Sequence, residues 1–325
     1  MQGGDVIRDP MDYLLKALLL PEPQARQAWE RWRASIDVNT MSYGSQQLLP
    51  ALIPVFPEWL NDDPAAGILQ GIVRRVWTQN QFRLRKAIEV GSLLTQADVQ
   101  PVIAGPLAWS LRAKPPAIRV IPHLTFLVPR ANVGQAAKVL VDDGWERLGD
   151  MPLERVLARS VRVCFRRENL QLNLIWRLVV VPPEDGLECE RALLSRIDHI
   201  EWNHQTVQIT SREATLLEIL AGQRDCDLPW QADLATVGTT ALDWPTFFDL
   251  ARRFAPLAID RLRELRSFSR LAIPPLPADI PGPLRSKYKF ILNAYRAHGY
   301  RRREPLTVSG FAEFLAIKLA QRLRR

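Results

Sequence analysis

The tract Ile118-Arg119-Val120-Ile121-Pro122-His123-Leu124-Thr125-Phe126-Leu127-Val128 alternates in polarity and is rich in β-branched side chains, so it reads as a strand from Ile118 to Val128. A half-buried strand is not stable alone; it needs neighbours along its edges and cover on its apolar face. Candidate neighbours stand close by. Val99 to Ala104 is a short apolar run that turns at Gly105, and Val161 to Phe165 and Leu170 to Val181 read as further strands. Helical patterns lie between them, from Leu107 to Leu111 and from Val133 to Asp143, the latter ended by Gly144. The predicted class is α+β, with a small mixed sheet over residues 96–183.

The flanks are helical. Residues 1–95 open with Tyr13-Leu14-Leu15 and Ala17 to Leu20, followed by a helix with Pro23 near its start and Trp29, Trp32 and Ile36 spaced to share a face. Gln46 to Phe56 is apolar and punctuated by Pro50 and Pro54. A long helical pattern runs from Pro64 to Leu94, with Ile68, Ile72, Val76 and Leu84 on its apolar side. Residues 184–272 read as a mainly helical C-terminal domain, with a small hairpin from His199 to Ile209. Thr210 and Glu213 have capping-box spacing ahead of Ala214 to Ala221. Asp243 can N-cap the helix that begins Trp244-Pro245. Residues 273–325 begin with a proline-rich linker, Ile273 to Pro283, and continue as two basic helices, Leu284 to Ala297 and Ser309 to Leu323.

Composition excludes several classes. Hydrophobic residues are 47% and charged residues 24% of 325, which favours a packed soluble chain over a disordered one. Cys164, Cys189 and Cys226 are odd in number and form no Cys-x-x-Cys pair, so neither a disulfide framework nor a structural zinc site is expected. A reduced, cytoplasmic setting fits. The apolar N-terminal run is broken by Lys16, unlike a secretory signal, and Ser42 to Pro57 is too short to span a bilayer; no membrane insertion is expected. The net charge of +8 is uneven. Arg285 to Arg325 holds eleven Lys/Arg against two Asp/Glu, a net of +9, which leaves −1 for the rest. Any electrostatic partner belongs with that segment.

Three segments resemble one family. They are Val102-Ile103-Ala104-Gly105-Pro106-Leu107-Ala108 with Ile118 to Pro129, Ala136 to Leu140 and Gly144-Trp145; Leu172-Asn173-Leu174-Ile175-Trp176-Arg177-Leu178; and Ala232-Asp233-Leu234-Ala235 with Leu242-Asp243-Trp244 and Leu250-Ala251-Arg252. Their order and spacing, from about residue 11 to 275, are similar to the uncharacterised nucleotidyltransferases of bacterial peptide natural-product gene neighbourhoods. The resemblance implies a nucleotidyltransferase-like sheet, a nucleoside triphosphate substrate and magnesium. In that family the first strand leads into Lys-Gly, the second carries Asp-x-Asp, and a later strand carries an acidic residue. Alternate strand residues share a face, so Asp-x-Asp sets two carboxylates side by side and the third completes a nest of anionic oxygens for the metal.

This chain departs from the pattern at each charged position but one. Ala104 stands where the family has lysine, ahead of Gly105; Arg119 is kept; His123 and Thr125 replace the paired aspartates; Asn173 replaces the third acid, and Ile175 a nearby histidine. Register shifts do not restore the set. No acidic residue lies between Pro101 and Leu140, and Glu168 is the only one between Val161 and Val181. The apolar framework of Leu124, Phe126, Val128, Leu172, Leu174 and Trp176 is intact. The resemblance therefore implies a retained fold without the usual two-metal chemistry, and no metal site is expected.

Each singled-out residue carries two readings. His123 has the pKa range of a general base, but a lone strand histidine is more often a packing residue. Arg119, on the face of His123 and Thr125, can hold a phosphate without metal or make an ordinary salt bridge. Gly105 can offer a backbone N–H to an anion or simply turn the chain. Thr125 and Asn173 can bind a ligand or satisfy one another. His199 and His204 have no metal-like spacing, and Cys164 reads as buried and inert. Arg301, Arg302 and Arg303, with Lys287, Lys289 and nearby tyrosines, can contact nucleic acid or an acidic partner. Ten tryptophans are enough to line an interface. The leading expectation is an inactive, partner-binding accessory protein with an anion site. Alternatives are an active nucleotidyltransferase with a reorganised site, and a nucleic-acid-binding protein that uses the basic tail.

Overall fold

The structure is a computed structural model and describes residues 10–53, 56–60, 63–112, 119–179, 181, 185–221, 229–238, 241–267 and 269–277. The two helices expected in the basic tail, with Lys287, Lys289 and Arg301 to Arg303, lie outside the described residues, as does the end of the expected proline-rich linker.

The N-terminal helices form because their apolar residues recur at helical spacing and their ends are marked. They are α1 (Pro10–Leu19), α2 (Glu22–Ser35) and α3 (Tyr43–Leu52). Pro23 sits in the first turn of α2, where its missing N–H costs nothing. The Ser42 hydroxyl caps α3 by accepting the Ser45 N–H at 3.2 Å. Trp29 and Trp32 are buried with ring centroids 5.1 Å apart, Trp59 joins them, and Phe56 stacks on Trp59 at 3.9 Å. With Trp109, Trp145 and Trp176 also buried, six of the ten tryptophans serve the core, while Trp77 is exposed. Trp202, Trp230 and Trp244 are partly exposed.

Helix α4 (Ala66–Gln96) has 31 residues and spans about 46 Å. Its buried stripe is Leu69, Val76, Asn80, Leu84, Ala87, Val90 and Leu94. Ile68, expected on the apolar side, is 46% exposed; it lies about 100° around the helix from Leu69. Leu69 joins the hydrophobic cluster built around α1 to α3, whereas Leu84 to Leu94 join the larger cluster under the sheet.

Beyond α4 come β1 (Val102–Ile103), α5 (Gly105–Arg112), β2 (Leu124–Leu127), α6 (Val133–Asp142), β3 (Glu146–Arg147), α7 (Leu153–Arg159), β4 (Arg162–Arg167) and β5 (Leu170–Ile175). Then follow α8 (Gly186–Leu194), β6 (Ile197–Trp202), β7 (Gln205–Thr210), α9 (Arg212–Ala221), α10 (Trp230–Val237), α11 (Trp244–Phe254) and α12 (Pro256–Arg266). Among the described residues the seven strands form one mixed sheet in the order β3-β4-β5-β2-β1-β7-β6. β2 runs parallel to β5 and β1 parallel to β7; the other neighbours are antiparallel. The architecture is α+β, as expected.

Several boundaries differ from the sequence reading. The central strand covers Leu124 to Leu127, not Ile118 to Val128, and Ile118 lies outside the described residues. Two local causes act. Pro122 has no N–H for a ladder, and the Asn80 side chain takes both the Arg119 carbonyl and the Ile121 N–H. β5 likewise stops at Ile175, short of Val181. The expected hairpin forms as β6 and β7, turned by Asn203 and His204, both at positive φ. It is no isolated hairpin, however, because Ile209 pairs with Ile103 and extends the sheet beyond residue 183. The α9 cap is Ser211, whose hydroxyl accepts the Ala214 N–H, while Thr210 hydrogen-bonds Thr215. Asp243 does cap α11, accepting the Thr246 N–H at 3.3 Å.

Alternation sorts the central strands into two faces. Leu124, Phe126, Val163, Phe165, Leu172 and Leu174 are buried on one side. Helix α4 covers that side so closely that a Cβ added to Gly91 would lie 3.7 Å from Phe126. Thr125, Asn173 and Cys164 form a cross-strand row on the other side.

Candidate functional site

The sheet brings two of the singled-out residues directly together. Parallel pairing of β2 and β5 sets Thr125 opposite Asn173, and antiparallel pairing of β4 and β5 sets Cys164 opposite Asn173. His123 precedes Thr125 by two residues at the mouth of β2. Thr125 is 4% and Asn173 2% exposed. They do not satisfy one another. The Asn173 Oδ1 accepts from the Gln171 side chain at 3.4 Å, and the Thr125 hydroxyl is buried without a hydrogen-bond partner.

Gly105 lies beside Thr125. Its φ of +63° is left-handed, which favours glycine, and an added Cβ would lie 3.4 Å from Thr125 Oγ1. The turn reading of Gly105 therefore has a direct basis. Its N–H, the expected anion donor, is committed within the chain: it donates to Glu218 Oε2 at 3.1 Å. Glu218 projects from α9, far away in sequence. No sequence spacing marks it as a neighbour of Gly105, so only the fold reveals it.

Arg119 is 1% exposed and its Nε donates to Asp233 on α10, which is fully buried. The pair is not a surface salt bridge with a residue outside the core, because both partners are inside it. It links two of the three segments that carry the family resemblance. Removing one partner of a buried pair costs about 3–5 kcal/mol, because the other charge is left uncompensated. The Arg119 backbone is also fixed, through the bond that its carbonyl accepts from Asn80.

The electrostatics around His123 are cationic. Burial first, and then the charges of Arg162, Arg119 and Arg83, hold its imidazole down at about 4, against an ordinary 6.5. At neutral pH His123 is therefore uncharged. Arg83 lies three residues beyond Asn80 on α4, so it shares the helix face that meets residues 119–121. Its Nη1 is buried without a hydrogen-bond partner, and burial lowers the guanidinium pKa from its ordinary value. Arg162 opens β4, and its charge acts on Cys164 as well as on His123. Cys164 is only half-buried, contrary to expectation, although burial raises its thiol pKa. Cys189 is the buried thiol, pushed up to about 12 mainly by burial.

These residues do not fit a magnesium pair. Magnesium is held by anionic oxygens, and His123, Thr125 and Asn173 offer an imidazole, a hydroxyl and an amide. The surrounding guanidinium groups add to the mismatch. Among the described residues no three His, Cys, Asp or Glu side chains come together as a metal could require. His199 lies on β6 and His204 in the turn after it. A cleft of about 580 Å³ opens elsewhere, on the Phe126 side between α4 and β7. Ile103, Phe126 and Val207 line it along with uncharged glutamines, and none of Gly105, Arg119, His123, Thr125 and Asn173 lines it.

Among the described residues no helix is long and apolar enough to cross a membrane. No curated protein matches this chain. The model of a family described as uncharacterised nucleotidyltransferase matches residues 60–257, from just ahead of α4 into the start of α12; this is more than half of the chain, and the protein belongs to that family.

Proposed function

We propose that this protein is a catalytically inactive member of its family that acts as an accessory or scaffold, binding a protein or peptide partner. The reading is supported by the uncharged side chains His123, Thr125 and Asn173 at the positions where the resemblance implies carboxylates, within a buried apolar framework. The charges of Arg162, Arg119 and Arg83 that act on His123 oppose a cation there, whereas the metal chemistry that the resemblance implies needs anionic oxygens. Tyr43, Trp77 and Phe82 are exposed on α3 and α4, and such aromatic side chains commonly anchor partner surfaces.

One observation favours a second reading, an active enzyme with a reorganised site. Glu218 brings a carboxylate beside Gly105 and Thr125. A single transfer assay separates the two. The full chain is incubated with each nucleoside triphosphate and magnesium or manganese, and pyrophosphate release and label transfer are followed. The inactive reading expects no turnover above the protein-free background. Metal-dependent turnover that disappears in Glu218→Gln would overturn it and support the reorganised enzyme.

A further inference from the structure

The cleft between α4 and β7 coincides with a break in the sheet. Asn203 and His204 alone join β6 to β7, so the closing pair, Trp202 and Gln205, exchanges both ladder bonds and the pairs alternate from there. Thr206, Gln208 and Thr210 therefore turn their backbone groups away from β6. The Thr210 carbonyl has this orientation, since it accepts from Arg112 Nη2 on α5. β1 meets this edge at one pair only, Ile103 with Ile209, which engages the Gln208 carbonyl and the Thr210 N–H. Pro101 has no N–H to continue the ladder. The chain just ahead of it is tied to the helix instead, because the Val99 N–H closes α4 by donating to the Leu94 carbonyl at 3.0 Å. The Gln208 N–H and both backbone groups of Thr206 are thus left without a ladder partner on this side.

The space beside that edge is the cleft of about 580 Å³. Ile103 pairs with Phe126 and Ile209, and Val207 lies two residues from Ile209, so the three share the sheet face that α4 covers. Gly91, Ser92 and Thr95 of α4 stand across from them. No lining residue is charged, although charged residues make up 24% of the chain. We infer that the cleft takes an extended peptide segment of a partner protein, with uncharged side chains, which continues the sheet beside Thr206 and Gln208. The segment's backbone supplies the missing donors and acceptors, and its alternate side chains are apolar and meet Phe126 and Val207. A neutral lining complements a neutral segment and disfavours this chain's own tail, with its net +9 over residues 285–325, because an ion would be desolvated there without a counter-charge. A compact apolar ligand would leave the backbone edge unmet. The inference rests on the reading that the protein binds a peptide partner and adds where and in what form; it does not depend on loss of catalysis.

The probe is a phage-displayed library of octapeptides built only from alanine, serine, threonine, valine, isoleucine, leucine, asparagine and glutamine, selected on the full chain. The enriched sequence is synthesised and titrated by fluorescence anisotropy against the wild type, Thr95→Arg and Val207→Arg. Thr78→Arg is the control, because Thr78 is exposed on the same helix outside the cleft. Each cleft variant sets a charge against the bound segment and should weaken binding about tenfold or more, while Thr78→Arg leaves it unchanged. Salt should have little effect, since no charge lines the site. N-methylation of the peptide at alternate amides should abolish binding in one parity and spare it in the other, which a merely apolar pocket would not produce. Should Val207→Arg fail to fold, by circular dichroism, the exposed Thr95 position still decides the matter. No enriched peptide, binding that survives Thr95→Arg, or N-methylation without parity overturns the inference. So does a dimer of the wild type, seen by sedimentation, that Thr95→Arg dissociates, because a second copy then fills the cleft. None of these touches the inactive reading, which fails instead on turnover in the transfer assay.

Discussion

A single imidazole reports most sensitively on the charge pattern at the mouth of β2. In the unfolded chain His123 takes up a proton at its ordinary 6.5, while in the folded chain burial and the charges of Arg162, Arg119 and Arg83 hold it at about 4. Between those values the unfolded state binds the extra proton, so stability falls as pH drops from about 6.5 towards 4. The loss grows to about 2 kcal/mol by pH 5 and on the order of 3 kcal/mol below pH 4. Urea unfolding of the wild type and His123→Gln, at about pH 7 and about pH 5, isolates this contribution, since other titrating groups cancel in the difference. The wild type should lose about 2 kcal/mol more than the variant on acidification. Equal losses would mean that the imidazole titrates normally. The family resemblance singled out His123 in the sequence. Its neutral state was not legible there, because two of the three arginines come from α4 and β4, remote in sequence.

At the scale of elements, α4 shows what periodicity can and cannot give. The long apolar pattern identified the helix to within a few residues, and Val76 and Leu84 face inward as read. Yet the same stripe holds Asn80, a polar residue that hydropathy alone places outside. It is buried because it does the work of a strand neighbour, accepting from the Ile121 N–H and donating to the Arg119 carbonyl. This side chain explains why β2 begins at Leu124 although the sequence alternates from Ile118. Replacing Asn80 with alanine leaves a buried N–H and a buried carbonyl without partners, at a cost of about 2–4 kcal/mol. Thr78→Ala, on the exposed side of the helix, should change stability by less than about 0.5 kcal/mol. A chemical denaturation curve for each variant tests this. Near-equal midpoints would show that water or relaxation replaces the two bonds. The capping error at α9 is of the same kind: Thr210 and Ser211 both suit an N-cap, and contact with Thr215, visible only in three dimensions, assigns Thr210 elsewhere.

Across the whole molecule, net positive charge is concentrated in one part of the sequence. Within the matched region the arginines are largely engaged internally, as in Arg119 with Asp233 and Arg112 with Asp198. The tail, in contrast, concentrates a net +9 in residues 285–325 on a chain whose remainder is −1. Cations gathered in that way gain affinity for polyanions by releasing condensed counterions, and the gain falls linearly with the logarithm of salt. If the tail is a nucleic-acid surface, fluorescence polarisation with a single-stranded oligonucleotide will show a steep salt dependence. Neutralising Arg301, Arg302 and Arg303 to glutamine will flatten that slope by about 0.7 for each phosphate that no longer meets a cation. The variant should weaken binding to all sequences about equally, because phosphate contacts carry no base information. Arg83→Gln should leave both slope and affinity unchanged, since its charge is partly buried at the mouth of β2. Binding that ignores salt, or that survives the triple neutralisation, would remove nucleic acid from consideration and turn the search for a partner of the tail towards protein surfaces.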